Sequence, residues 1–193
     1  MPVERAIYYL LDCTYKIENP HLQVMTLSAI KDTRFQQGYG SATKHHAFVG
    51  GLPVHTAEVT AIALNMRKQF PDIPYDVMAT AAILHDYMKI DEYEGKEDGT
   101  IEKLPYQKMV GHLVGSYAYV HHTLKRFNAG PDLDDFKMRI EHAILAHHGR
   151  LEWRTAQEPL TPEAHILHYA DMMSSRFGAT SPDQISNIIP PIL

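Results

Sequence analysis

Apolar residues recur at helical spacing along almost the whole chain. The first repeat runs through Ile7, Leu10 and Leu11, and a new repeat begins after the break at Asn19-Pro20. Later segments show the same period, and Thr161-Pro162-Glu163 has the sequence of a helix start. The pattern predicts helices over residues 2–15, 21–35, 52–70, 74–86, 106–127, 132–147 and 161–177.

The segment that opens at Pro74 differs from the other predicted helices. Its run from Met78 to Leu84 is apolar nearly all round, which is typical of a helix buried on every side. We therefore expect it to be the central helix of the fold. The helix over residues 52–70 is expected to bury one face, formed by Leu52, Val59, Ile62, Ala63 and Met66.

One short stretch interrupts the helical pattern. Asp98-Gly99 lies between polar residues and indicates a β-hairpin, so a small flap is predicted near residues 91–104. No repeat, low-complexity segment or Pro/Gly-rich linker marks a second domain. The prediction is an all-α fold in a single domain over residues 1–193, with N-terminal helices and a loop in 1–43, a core in 44–175 and a tail in 176–193.

Composition limits the possible chemistry. A chain of 193 residues, 45% of them hydrophobic, can bury one sizeable core. The single Cys13 excludes a disulfide framework and a cysteine-based zinc cluster, and no signal peptide or transmembrane stretch is evident. A cytoplasmic location is expected. The net charge of -5 gives no basic field to hold a long nucleic acid, whereas 13 histidines are an unusual excess.

His85 and Asp86 end the most apolar predicted helix. A buried carboxylate beside a buried imidazole is costly unless a cation or hydrogen bonds compensate, which favours a metal. Adjacent helical residues point about 100° apart, so further ligands must come from other helices. The candidates are His55, His112, His147, His148 and Asp171. Asp171 stands out because it is a charged residue within an apolar predicted helix, where an ionised group requires a partner.

The order of these residues resembles that of the HD phosphohydrolase superfamily, and most of all the HD domain of the 3′-to-5′ exoribonuclease family. The matching stretches are "HHAFVGGLPVHT", "AAILHDYMKI", "GHLVG", "EHAILAHHGRLEW" and "TPEAHILHYAD". The resemblance implies an HD-domain helical bundle. Met88 stands where the family usually has glycine. Those exoribonucleases generally carry an oligonucleotide-binding barrel ahead of the HD domain, whereas only two helices are predicted before it here.

The resemblance also implies a ligand set and a reaction. One metal would be held by His55, His85, Asp86 and Asp171. A second would share Asp86 and add His112 and His147, with His148 as an additional or alternative ligand. A metal-activated hydroxide would attack phosphorus, and Lys89 would neutralise the phosphate or the leaving oxygen. Independently, a thiol-free site rich in imidazole suits manganese, iron, cobalt, nickel or zinc.

Other polar residues are candidates for contacts with the substrate. Lys44, His45 and His46 precede Gly50-Gly51 and a helix start, where free backbone N–H groups favour an anion. Arg150 follows His148 closely and is a candidate phosphate contact, with Trp153 as a stacking surface for a base. His142 and His168 are expected to pack or hydrogen-bond without coordinating a metal.

The sequence therefore predicts a phosphohydrolase that acts on a nucleotide or a short oligonucleotide. A nucleotidase or nucleoside triphosphate hydrolase without RNA activity, a di-iron oxygenase of the same fold and a non-catalytic metal-binding adaptor stay open as alternatives. No membrane partner is expected. The tail could pack on a second copy through Ile188, Ile189, Ile192 and Leu193.

Overall fold

A computed structural model of the chain describes residues 2–127 and 130–181. Within these ranges helices account for nearly all the regular structure, which confirms the predicted all-α class. Two short 3₁₀ helices, Tyr87–Asp91 and Leu151–Trp153, and a hairpin of strands β1 (Tyr93–Gly95) and β2 (Ile101–Lys103) complete it. The α-helices are α1 Pro2–Tyr15, α2 Pro20–Lys31, α3 Thr33–Gln37, α4 Gly51–Arg67, α5 Tyr75–Leu84, α6 Pro105–Met109, α7 Gly111–Leu124, α8 Pro131–Ala146 and α9 Pro162–Phe177.

Two predicted helices are each divided in two. The first, over residues 21–35, breaks at Asp32, whose backbone is extended and whose side chain accepts from Arg34 N–H at 2.9 Å. Asp32 thus caps the start of α3. The second, over residues 106–127, breaks at Gly111, where a φ of 78° is strained for any residue with a Cβ. The periodicity of apolar residues did not show either break because it continues across both.

The core lies around α4 and α5. Every residue of α5 after Tyr75 is buried, as the apolar run predicted. α4 is also buried on all sides, from Gly51 through Ala61, and it packs against α1, α5 and α9. The prediction of a single buried face for α4 was therefore too narrow. Small residues such as Thr56 and Thr60 allow α4 to contact three neighbouring helices closely. Because threonine is polar, the pattern of apolar residues did not include these positions.

The predicted flap is present as an antiparallel hairpin. Tyr93 pairs with Lys103 and Gly95 with Ile101, and the Asp98 side chain accepts from Thr100 N–H at 2.9 Å in the turn. Its outer residues are exposed. Glu92, directly before β1, is only 1% exposed, so the base of the hairpin reaches the interior.

Met88 lies in the 3₁₀ helix that follows α5 and packs towards α7. The Met88 N–H donates to Ser116 Oγ at 3.2 Å. A Cβ added to Gly115 would come within 2.9 Å of the Cβ of Met88. Gly115 therefore leaves the room that the Met88 side chain occupies. The bulk of Met88 is accommodated against a helix.

No helix in the described part of the chain is long and apolar enough to cross a membrane. Residues 182–193 lie outside the described ranges, and so does the expected contact of the tail with a second copy.

Because α1 packs on α4, a substitution in α1 can test whether the N-terminal helices unfold together with the core as one domain. Leu10 is fully buried. We expect Leu10→Ala to lower the free energy of unfolding by about 2–5 kcal/mol, because it leaves a cavity. Tyr8→Ala, at a side chain that is 62% exposed, should change it by less than about 0.5 kcal/mol.

Denaturant unfolding followed by circular dichroism measures both variants. A Leu10→Ala protein with an unchanged midpoint, or with a separate early transition, would contradict a single domain over residues 1–193.

Candidate metal centre

Asp86 lies just beyond the C-terminal end of α5, deep inside the protein. The backbone leaves the α-helical region at this residue, with φ −110° and ψ 8°, and continues into the 3₁₀ helix. His85 is fully buried and Asp86 is 1% exposed. The end of an apolar helix thus places an imidazole and a carboxylate where almost no solvent reaches.

A first cluster forms around one oxygen of Asp86. His55 Nε2, from α4, lies 3.2 Å from Asp86 Oδ2 and 3.1 Å from Asp171 Oδ1 of α9. His85 Nε2 lies 3.3 Å and 4.0 Å from the same two oxygens. The four ligand atoms all lie within 4.8 Å of one another, close enough to surround one ion.

A second cluster forms around the other oxygen of Asp86. His112, in the first turn of α7, places Nε2 3.2 Å from Asp86 Oδ1 and 3.2 Å from His148 Nε2. His147 Nε2 lies 3.6 Å from the same Asp86 oxygen. Asp86 therefore presents one carboxylate oxygen to each cluster, which is the arrangement of a carboxylate able to bridge two ions.

Most of the ligand atoms lack an ordinary hydrogen bond, although the Lys89 ammonium lies 2.6 Å from Asp86 Oδ2. Among the described residues, both oxygens of Asp86 and the Nε2 atoms of His55, His85 and His147 are buried without a hydrogen bond. Their close approaches to one another do not have hydrogen-bond geometry. Buried polar atoms are rarely left this way, because each costs free energy. A cation at each cluster would satisfy them, so the residues fit a metal.

Every histidine of the two clusters is held through its other ring nitrogen. When Nδ1–H donates a hydrogen bond, Nε2 keeps its lone pair for a metal. The Nδ1 partners are Ser174 Oγ for His55 (2.9 Å), Ala82 O for His85 (2.8 Å), Glu92 Oε1 for His112 (3.0 Å), Ile144 O for His147 (2.7 Å) and Trp153 O for His148 (3.1 Å).

The electrostatics of the first cluster favour a positive charge. Burial alone would raise the pKa of Asp86, but the Lys89 ammonium, 2.6 Å from Oδ2, and the neighbouring histidines hold it well below its ordinary value. Burial would lower the pKa of His55, whereas the nearby carboxylates of Asp171 and Asp86 raise it to about 9.

The electrostatics of the second cluster favour neutral imidazoles. Burial, with the nearby His147 and His112, lowers the pKa of His148 to about 3. Burial also lowers the pKa of His147, although Asp86 opposes the shift. Both imidazoles are therefore neutral near pH 7, which is the form that binds a metal.

A buried network supports His55 from behind. Ser174 Oγ–H donates to Glu58 Oε2 at 2.7 Å while it accepts from His55 Nδ1–H, so the three side chains form a Glu58–Ser174–His55 chain. His46 Nε2 also lies 3.0 Å from Glu58 Oε2, and the His46 side chain is 2% exposed. His46 was expected to contact the substrate. In the structure it is enclosed and bonded to Glu58, because burial of this carboxylate requires donors.

The other expected substrate contacts lie at the surface. Lys44 is exposed and His45 is half-buried, with Nδ1 3.3 Å from Gly178 O. Arg150 is exposed and places its guanidinium carbon 5.1 Å from the centroid of the Trp153 ring. His168 Nδ1–H donates to His147 O at 2.8 Å, so it supports a ligand without joining a cluster.

Three further residues of the site were not found from the sequence: Glu58, Glu92 and Ser174. Glu58 follows His55 by three positions on a buried helix, and a charged residue in such a helix was the signal that identified Asp171. Glu92 accepts from both the backbone N–H (2.6 Å) and Nδ1–H (3.0 Å) of His112. No sequence signal distinguishes Glu92 from the exposed acidic residues of the hairpin.

The helical fold, with two linked clusters able to hold metal ions, is that of an HD domain. The profile of the HD domain family matches residues 54–175, and the chain belongs to that family.

Two curated relatives show what this chain is similar to. The 3′-5′ exoribonuclease YhaM of Bacillus subtilis is 30% identical over 169 residues, which cover 85% of this chain and 51% of the relative. The 3′-5′ exoribonuclease YhaM of Oceanobacillus iheyensis is 30% identical over 183 residues, which cover 92% and 55%. This chain thus spans about half the length of the relatives it matches. No solved structure gives a significant match.

Two substitutions distinguish Asp86, which both clusters share, from His112, which belongs to the second cluster alone. Asp86→Ala removes an oxygen from both clusters, so we expect the purified variant to hold neither ion. His112→Ala should lose only the second ion and keep the first. Elemental analysis of the purified proteins measures the difference.

The exposed His165 on α9 provides the matched control, because His165→Ala should keep the metal content of the parent protein. A His112→Ala protein with unchanged metal content and turnover would mean that the site binds one ion, through His55, His85, Asp86 and Asp171.

The hydrogen bonds that link Glu58, Ser174 and His55 lead to a prediction about metal affinity. Ser174→Ala removes the acceptor of His55 Nδ1–H, which frees the ring to turn or to change tautomer. We expect the affinity of the first cluster for its ion to fall by about 10- to 100-fold. Competition with a metal-sensitive chelating dye measures this affinity.

Ser175→Ala is the control, since the Ser175 hydroxyl is exposed and donates to Met172 O at 3.1 Å. Equal metal affinities for Ser174→Ala and the parent protein would show that the hydroxyl does not position His55.

Proposed function

We propose that this chain hydrolyses phosphoester bonds of a nucleotide or a short oligonucleotide at a centre of one or two divalent metal ions. The observation that carries the proposal is the Asp86 carboxylate. It is buried, each oxygen faces a different group of histidines, Oδ2 also faces the Lys89 ammonium at 2.6 Å, and Oδ1 has no hydrogen bond among the described residues. Such an arrangement suits a shared ligand of two ions that act together on a phosphate.

The ligands divide between the two ions. We assign the first ion to the first cluster and the second ion to Asp86, His112 and His147, with His148 as a further ligand. Imidazole and carboxylate ligands without a thiolate suit manganese, iron, cobalt, nickel or zinc better than magnesium or calcium.

When bound, the ions lower the pKa of a water molecule and stabilise the charge that develops on phosphorus. The protein supplies position and charge around them. Asp86 fixes both ligand groups on one carboxylate. Lys89 is 14% exposed, and the carboxylates of Asp86 and Asp171 raise its pKa although burial would lower it. Lys89 therefore stays an ammonium, and we assign it to neutralise the phosphate or the leaving oxygen.

The substrate class is supported by the relatives. Both are named 3′-5′ exoribonucleases, so a ribonucleotide or the 3′ end of a short RNA is the substrate we propose here. Lys44, His45 and Arg150 are the proposed phosphate contacts at the surface. The net charge of -5 supplies no long-range attraction for a polyanion, so this chain by itself should act on short substrates.

Removal and return of metal test the proposal. The purified chain should hydrolyse a model phosphodiester and a short labelled oligoribonucleotide. Exhaustive chelation should abolish both activities, and manganese should restore them, because the proposed hydrolysis requires the ions to activate water. Parallel assays without oxygen separate hydrolysis from oxygenase chemistry.

The proposal fails if protein shown by elemental analysis to be metal-free keeps full activity. Turnover that requires oxygen would instead indicate the oxygenase. Metal-loaded protein that hydrolyses none of a panel of nucleotides and oligonucleotides would indicate a binding protein.

A further inference from the structure

A cavity of about 320 Å³ opens beside the metal clusters. One wall is formed by ligand residues from both clusters, His147, His148 and Asp171, and the remainder includes Trp153, Met172 and Arg176. This volume lies at the lower end of the range for small-molecule sites. The cavity therefore has room for a single nucleoside unit next to the proposed reacting phosphate.

Trp153 is held at the edge of this cavity by the metal site itself. Its backbone carbonyl accepts from His148 Nδ1–H at 3.1 Å, so the position of the tryptophan is tied to a candidate ligand. The His168 ring, whose centroid lies 6.0 Å from that of Trp153, is in turn bonded to His147 O. Even so, 45% of the Trp153 side chain is exposed. The Arg150 guanidinium lies over this ring, with its carbon 5.1 Å from the ring centroid. A large aromatic surface is thus fixed beside the clusters and remains partly open.

Arg176 adds a positive charge to the same cavity. Among the described residues it makes no ion pair, and its side chain is exposed. An arginine without a carboxylate partner is suited to bind a phosphate. Met172, one turn earlier on α9, contributes apolar surface between this charge and the clusters.

We propose that the cavity is a nucleoside subsite, in which Trp153 stacks on the base and Arg176 binds a phosphate of the same nucleotide. Every base has a π face, so a subsite of this kind would accept all four bases. The inference rests on the proposed function for the identity of the ligand. It adds the part of the protein that would distinguish a nucleotide from any other phosphate ester.

The sequence provides a direct probe of this subsite, because Trp153 is the single tryptophan of the chain. We expect adenosine 5′-monophosphate to quench the intrinsic fluorescence of the metal-loaded protein in a saturable way. Ribose 5-phosphate, which has the phosphate and sugar but no base, should produce no comparable quenching. Arg176→Ala should weaken the binding of adenosine 5′-monophosphate, whereas Arg126→Ala, at an exposed arginine outside the cavity lining, should not.

Kinetics provide the second measurement. Trp153→Ala should raise KM for a short oligoribonucleotide by about 5- to 150-fold, the range that stacking of one base supports. Trp153→Phe should recover part of this loss. For an oligonucleotide with an abasic 3′ residue, the parent protein and Trp153→Ala should have the same KM.

The results separate this inference from the proposed function. If adenosine 5′-monophosphate does not quench the fluorescence, or Trp153→Ala raises KM equally for both oligonucleotides, the subsite is overturned while hydrolysis stands. If no substrate is cleaved, hydrolysis fails and the titration still decides whether a base binds at Trp153.

Discussion

The structure depends on the burial of one carboxylate. Asp86 follows a helix that is apolar on all sides, and an unpaired buried carboxylate costs several kcal/mol. The Lys89 ammonium and the ligand atoms of other helices must therefore compensate it, and these helices all follow residue 50 of the chain. α4 and α9 each carry one ligand within the helix, α7 carries one in its first turn, and two follow the end of α8. The packing that buries α5 also fixes the distances between the ligand atoms.

Much of this could be predicted from the sequence because the signals are local. The apolar run of α5 showed where the core lies, and His85 and Asp86 stood out because they end it. Asp171 was identified as a charge within an otherwise apolar helix. The all-α class, the hairpin and the meeting of both ligand groups follow from such patterns, together with the order of motifs typical of the HD domain family.

Other features depend on contacts between distant residues, and no local pattern shows them. Glu58 and Ser174 are 116 positions apart and meet only because α4 and α9 pack together. His46 was expected to face a ligand, but its nearest strong acceptor in three dimensions is Glu58. The size of Met88 likewise has a counterpart in Gly115 on a neighbouring helix, which only the packed structure identifies.

Glu92 links the hairpin to the second cluster. Its side chain holds both the backbone and the ring of His112, and its own backbone begins the hairpin through the bond from Leu104 N–H to Glu92 O at 2.9 Å. The base of the hairpin and the ring of His112 are therefore positioned by the same residue. A substitution that displaces Glu92 would disturb both the hairpin and the second cluster at once.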